Sequence, residues 1–179
     1  MKFEVLPGLP AVGPYPDQFA PEGRPTHSEG FVVRFILGDG SSWVGNFQRC
    51  LSRFDVVVPH PNEVDLLVIA GGQAYVIDAT SRKRKNVFGG AIVGAHVVAE
   101  RSLVILNHQN IAFEAIGVAG RAWESPRLSW DGFKEVLVDS EKIRGLAWKW
   151  DDTWHKFEID VATGRSLGGS IQQDDDRVV

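Results

Sequence analysis

The chain has 179 residues, 44% hydrophobic and 23% charged, which is enough for one substantial core and favours a single domain. Its net charge is -4 and its positive and negative residues are interspersed, which excludes a positive electrostatic field over the whole surface that would attract nucleic acid or an anionic membrane. A single cysteine, Cys50, excludes internal disulfides and multi-cysteine zinc sites, and fits a reducing compartment.

The first residues, "MKFEVLPGLP", do not resemble a signal peptide. Glu4, Pro7 and Pro10 interrupt the apolar stretch that a signal peptide needs, and no later apolar run is long enough to cross a bilayer. We therefore expect a soluble, cytoplasmic protein without membrane contact.

Six of the nine prolines lie between Pro7 and Pro25, which excludes a helix or central strand there. We predict that residues 1–30 form an extended strap packed on the domain and anchored by Tyr15 and Phe19. The alternative is a proline-rich ligand for an aromatic groove. Residues 31–170 are predicted to form one all-β domain, and 171–179 a flexible acidic tail.

Between these ends, short runs rich in valine, isoleucine and aromatic residues alternate with turn residues at intervals of roughly 8 to 13 positions. No window has a helical apolar stripe. The pattern predicts an antiparallel all-β fold, either propeller-like with about four blades or a two-sheet sandwich. The predicted strands are "FVVRFIL", "SWVGNF", "VDLLVIA", "QAYVIDA", "AIVGAHVVA", "SLVILN", "NIAFEAIG", "RAWES", "FKEVLVD", "KIRGLAWKW" and "WHKFEIDV".

A weak internal repeat favours the propeller. "YVIDATSRK" from Tyr75 and "FEIDVATGR" from Phe157 place Asp78 and Asp160 82 positions apart, which is the length of two propeller blades. The "D-x-x-T-G" segment of the second copy resembles the blade turns of WD-repeat and quinoprotein-type propellers, and Ser81 replaces the expected glycine in the first copy. This resemblance implies a fold and no function.

Asp131 precedes Gly132 between two aromatic-flanked runs, in "RLSWDGFKEV". Asp-Gly is a strong hairpin signal, so we interpret Asp131 as a turn residue and not as a reactive carboxylate.

Several segments resemble a family of small, uncharacterised bacterial proteins that we expect to be all-β. These segments are "GPYP", "WVGNFQ", "WESPRLSWDG" and "DVATGRSLGGS". The resemblance implies one compact unit and no activity, cofactor or partner.

Sequence motifs for catalysis, metal binding or cofactor binding are weak in this chain. "KWDDTWHKFEID" could hold a metal through Asp151, Asp152 and His155 at its turn, but strand alternation separates His155 from Glu158 and Asp160. No phosphate-binding loop or other cofactor motif occurs, so we expect no cofactor and no resident metal. Cys50 is interpreted as a packed small hydrophobe.

We therefore predict, as the leading hypothesis, a non-catalytic protein-binding module of a regulatory or toxin-neutralising type. The basic run "SRKRKN", placed in a hairpin loop, suggests an acidic partner, whereas nucleic acid is not favoured. The predicted contacts are Arg82, Lys83, Arg84, Trp150, Asp151 and Trp154. The alternative is a sugar-acting hydrolase or carbohydrate-binding domain, in which exposed tryptophans lie beside Asp131 with Asp151 or Asp152.

Overall fold

The computed structural model describes residues 2–24 and 28–171. Within these ranges, sixteen strands form four four-stranded sheets, and the one helical element is a single 3-10 turn, Ala99–Arg101. The prediction of an all-β fold with about four blade-like sheets is confirmed. The predicted tail lies outside the described residues, apart from Ile171.

The first sheet takes strands from the proline-rich segment as well as from the first predicted strands. Its strands are Lys2–Leu6 (β1), Asp17–Phe19 (β2), Phe31–Ile36 (β3) and Ser42–Phe47 (β4). Their order in the sheet is β1-β3-β4-β2, and the short strand β2 runs parallel to β4, whereas the other pairings are antiparallel.

Phe19 anchors the proline-rich segment as predicted, because its ring stacks on Phe47 at 4.7 Å between centroids. The prediction for Tyr15 was wrong, since its side chain is 99% exposed.

The other three sheets are meanders in which each strand pairs with the next. The second sheet comprises Val56–Pro59 (β5), Leu66–Ala70 (β6), Gln73–Asp78 (β7) and Lys83–Gly89 (β8). The third comprises Ile92–Val98 (β9), Leu103–His108 (β10), Ala112–Gly117 (β11) and Gly120–Glu124 (β12). The fourth comprises Phe133–Val138 (β13), Lys142–Trp148 (β14), Trp154–Asp160 (β15) and Ser166–Gly168 (β16).

The chain divides into two compact units. The described residues up to Ile92 form the first unit and those from Val93 form the second. In the first unit, an aromatic core around Phe35, Phe47 and Tyr75 joins the first two sheets. In the second, Phe113 and Phe157 belong to a core shared by the other two sheets. The expected division into a strap, one domain and a tail stays a prediction.

The two units share one arrangement of hydrogen bonds, and the residues that form it are those of the sequence repeat. In each unit a buried tryptophan donates its indole N–H to the carbonyl that follows the repeated aspartate: Trp43 to Ala79, and Trp123 to Val161, both at 2.8 Å. The aspartate carboxylates cap the turns by accepting backbone N–H groups, from Thr80 and Ser81 in one unit and from Thr163 in the other.

The position that replaces the glycine of the second copy is Arg82, not Ser81. Arg82 has φ +57° and Gly164 has φ +72°, so the same left-handed step occurs 82 positions apart. The glycine at the second site has a packing reason, because a Cβ on Gly164 would lie 2.7 Å from the ring of Trp123.

Candidate functional site

The turn between β14 and β15 carries Asp151, and this carboxylate stabilises the turn itself. Asp151 accepts hydrogen bonds from the hydroxyl and backbone N–H of Thr153, at 2.5 and 3.2 Å, and pairs with Lys149 Nζ at 3.3 Å. The hydrogen bond from the Thr153 side chain is the main reason that the pKa of Asp151 is lowered. A general acid needs the opposite change, a raised pKa.

Asp152 occupies the next position of the turn, with φ +61°, a conformation that aspartate tolerates better than most residues. Its carboxylate accepts the indole N–H of Trp148 at 3.2 Å. His155 contacts the Thr153 hydroxyl at 2.8 Å, so Thr153 lies between His155 and Asp151 where the metal-site alternative would place an ion. Among the residues that the structure describes, no group of three or more metal-ligating side chains is arranged to hold a metal ion.

Three tryptophans around this turn are exposed: Trp130 by 44%, Trp150 by 65% and Trp154 by 38%. Each has a cation over its ring. Arg127 lies 5.8 Å from the centroid of Trp130, Lys149 lies 5.9 Å from that of Trp150, and Lys134 lies 4.2 Å from that of Trp154. We call this set the tryptophan surface; its members are Arg127, Trp130, Lys134, Lys149, Trp150 and Trp154.

Part of the tryptophan surface lines a depression of about 530 Å³. Its lining residues are Trp130, Lys149, Trp150, His155, Gly169, Ser170 and Ile171. Three hydrogen bonds to the backbone carbonyl of Trp148 connect the segments that line this depression. The donors are the N–H of Trp130 at 3.1 Å, the hydroxyl of Ser129 at 3.1 Å and the hydroxyl of Ser170 at 2.5 Å. The depression is therefore built on a fixed frame.

The prediction of a hairpin at Asp131-Gly132 was wrong. β12 ends at Glu124, and the residues up to Gly132 connect the third sheet to the fourth, so Asp131 lies in an exposed bend just before β13. The hydroxyl of Ser129 fixes this bend by accepting the N–H of Gly132 at 3.0 Å. A sugar hydrolase of the alternative kind needs one carboxyl with a raised pKa, whereas the pKa of Asp151 is lowered, chiefly by the Thr153 hydroxyl.

The basic run lies in the first unit, whereas Trp150, Asp151 and Trp154 lie in the second. Its predicted loop is also shorter than expected, because Lys83 already begins β8. Arg82 packs over Trp43 at 5.8 Å from the ring centroid, and Arg84 donates to the Ala20 carbonyl and lies 3.8 Å from Glu22.

Lys85 completes this run and pairs with Asp65, whose side chain is almost fully buried, at 2.8 Å. Internal partners therefore satisfy three of the four cations in the run. Among the described residues, only Lys83 of the run has no such partner.

Trp150 and Trp154 were among the contacts predicted from the sequence, whereas Trp130 and the cations above the three exposed rings were not. A signal was present, because Lys149 precedes Trp150 directly and Arg127 lies three positions before Trp130. Lys134 could not be assigned to Trp154 in this way, since β14 and a turn separate them in sequence.

Among the described residues, no helix has the length and apolar character needed to cross a bilayer.

No protein-family model matches the chain, and no curated protein matches it. Among solved structures, the chain is similar to the β-propeller domain of Myceliophteria thermophila Cps50 (Swd1), with 10% sequence identity and a TM-score of 0.44. The similarity covers 80% of this chain and 64% of that chain, so this chain spans less than two thirds of the length of that propeller domain.

Proposed function

We propose that the protein is a non-catalytic protein-binding module and that the tryptophan surface of the second unit is its interface. The observation that carries this proposal is that three exposed tryptophans in one unit each have a cation over the ring. Tryptophan and arginine are enriched among the residues that dominate binding energy at protein interfaces. An exposed ring with a neighbouring cation can bury apolar area and still offer a directed charge.

The frame beneath the surface supports the same proposal. The hydrogen bonds to the Trp148 carbonyl and the side-chain bonds within the β14–β15 turn fix the backbone that presents the rings. A preorganised surface loses less conformational entropy on binding than a mobile loop. The earlier candidates Arg82, Lys83 and Arg84 are not part of this proposed interface.

The test is to isolate binding partners from the source organism with the intact chain and then to measure the affinity of each purified partner. Trp150→Ala and Trp154→Ala are compared with Val118→Ala, a matched change at an exposed residue in the same unit. We expect each tryptophan variant to weaken binding by about ten-fold or more, because a central aromatic contact is worth on the order of 2 kcal/mol. Equal affinity of all variants for every partner would refute the proposed interface.

A carbohydrate-binding role is the second candidate, because Trp130 and Trp150 line one depression together with the polar side chains of His155 and Ser170. Sugar rings pack on aromatic faces while their hydroxyls need hydrogen-bonding groups nearby. Tryptophan fluorescence, recorded while the protein is titrated with each member of a panel of oligosaccharides, distinguishes the two roles. A sugar that quenches the tryptophan fluorescence of the wild type, but not that of the Trp150→Ala variant, would favour this second role.

A further inference from the structure

The fourth sheet has one face on the core and an opposite face that carries charged and apolar side chains in ordered rows. Phe133, Ile143, Ala147 and Phe157 belong to or pack against the core, so the alternate residues of the same strands point the other way. The strand register places Lys134, Leu146 and Lys156 in one row across three strands of this opposite face.

The neighbouring row differs because its charges are matched internally. Leu137, Arg144, Glu158 and Leu167 are successive register partners across the sheet. Arg144 pairs with Glu158 at 3.3 Å and with Asp139 at 3.0 Å. Lys142 also pairs with Glu158. The cations on this side of the face therefore already have carboxylate partners.

In the first row, by contrast, neither lysine is paired with a carboxylate among the described residues. Lys134 lies over the ring of Trp154, and Lys156 is exposed beside a concave part of the face of about 540 Å³. Within the part of the chain that the structure describes, Arg127 of the tryptophan surface likewise donates only to backbone carbonyls, those of Ser129 and Trp130. Three cations without a carboxylate partner among the described residues therefore lie on or beside the tryptophan surface.

We propose that the surface binds an acidic segment of a partner protein, in which an apolar side chain lies between two carboxylates. The apolar side chain packs on Leu146 and the edge of Trp154, and the carboxylates pair with Lys134 and Lys156. Two strand spacings separate these lysines, about 10 Å between backbones, which sets the separation of the two acids. This inference rests on the proposed function and specifies the chemistry of the partner at the same surface.

Charge complementarity argues for this occupant and against a basic one, because a basic segment would place like charges over Lys134 and Lys156. Two nearby acids are already engaged, Asp151 by Thr153 and Lys149 and Asp152 by Trp148. Glu135, which lines the concave part of the face together with Leu146 and Lys156, and the exposed Asp131 oppose an acidic occupant. Arg127, Lys134 and Lys156, which have no carboxylate partner among the described residues, outnumber these two acids, so the unpaired charge beside the rings is net positive.

The test uses the full chain and two short synthetic peptides. In one peptide, one residue separates a leucine from an aspartate on each side, so that these three side chains share one face of an extended chain; in the other, both aspartates are asparagine. Binding is followed through the indole N–H resonances of Trp130, Trp150 and Trp154, assigned with single Trp→Phe variants. We expect the acidic peptide to shift these resonances and the asparagine peptide to shift them far less. Added salt should weaken the acidic complex.

Charge-neutral variants provide the matched comparison on one sheet face. Lys134→Gln and Lys156→Gln should each weaken binding of the acidic peptide by about two- to five-fold. Lys142→Gln and Arg144→Gln, which remove internally paired cations, should change it less. Equal binding of both peptides, no shift with either peptide, or equal losses in all four variants would overturn the acidic preference. The proposed protein interface would then still be decided separately, by the affinities of the Trp150 and Trp154 variants for isolated partners.

Discussion

The indole N–H of Trp123 donates to the carbonyl of Val161 at 2.8 Å, across the core of the second unit. This bond joins a strand of the third sheet to the turn that follows β15 in the fourth. Trp43 makes the equivalent bond to Ala79 in the first unit. Each unit therefore fastens its two sheets with one tryptophan, and this gives the buried tryptophans a structural role distinct from that of the exposed ones.

Trp123→Phe should destabilise the second unit by about 1 to 3 kcal/mol, because the ring is largely kept while the buried carbonyl of Val161 loses its donor. The free energy of unfolding is measured by urea denaturation, with circular dichroism as the signal. Trp150→Phe is the control, since Trp150 is exposed, and it should have almost no effect. An unchanged unfolding midpoint for Trp123→Phe would show that the bond contributes nothing to stability.

Gly164→Ala should destabilise the chain more than the same change at Gly40. Both glycines have positive φ, +72° and +84°, but only at Gly164 does a Cβ meet a neighbour, the Trp123 ring. The backbone term costs about 1 kcal/mol at either site, and the clash adds to it only at Gly164. Thermal unfolding of the two variants tests the difference, and equal losses would contradict the packing explanation.

Acid should weaken the turn that Asp160 caps. Hydrogen bonds from the side chain and backbone of Thr163 are the main causes that lower the pKa of Asp160 below its ordinary 3.8. Because the folded pKa is the lower one, this stabilisation is present above the unfolded pKa and is lost as the pH falls through the folded pKa.

Asp160→Asn keeps an acceptor oxygen but does not titrate, so its stability should fall less steeply than that of the wild type between about pH 5 and pH 3. Urea midpoints at both pH values measure the two slopes. Parallel slopes would contradict the assignment of this pH dependence to Asp160.

Ser129→Ala should cost about 1 to 3 kcal/mol of stability, because the N–H of Gly132 then loses its acceptor in a place where Ser129 is fully buried. The same change should loosen the bend that carries Trp130. Chemical denaturation gives the first effect, and acrylamide quenching of tryptophan fluorescence, which should increase, gives the second. Ser42→Ala, at an exposed strand position, is the control. A neutral Ser129→Ala would mean that the bend is held by other contacts.

Local patterns predicted eleven of the sixteen strands, because apolar runs and glycine-containing turns act over a few positions. The strands β1, β2, β5, β8 and β16 were not predicted, since they are short or polar, or contain or adjoin prolines. Local patterns failed at Asp131-Gly132 because the hairpin signal is local, whereas the path of this segment is set by distant bonds. One example is the bond from the Leu128 N–H to the Ile111 carbonyl. The dipeptide therefore lies in a connection between sheets.

The residues of the proposed interface were only partly predictable for a related reason. Exposure decides whether a tryptophan is a core or a contact residue, and the sequence does not distinguish buried Trp123 from exposed Trp150. The basic run looked available because its four charges are consecutive, but Asp65 and Glu22, which are distant in sequence, pair with two of them. Charge availability depends on tertiary pairing and not on local composition.

The most direct test of the central claim is a photo-crosslinking amino acid placed at position 154 of the intact chain, with position 118 as the exposed control in the same unit. Both variants are irradiated in lysate of the source organism at native abundance. The proposed interface predicts one defined protein adduct at position 154, absent at 118 and lost when Trp150→Ala is added. Identical adducts at both positions, or none at position 154, would contradict a protein-binding role for the tryptophan surface.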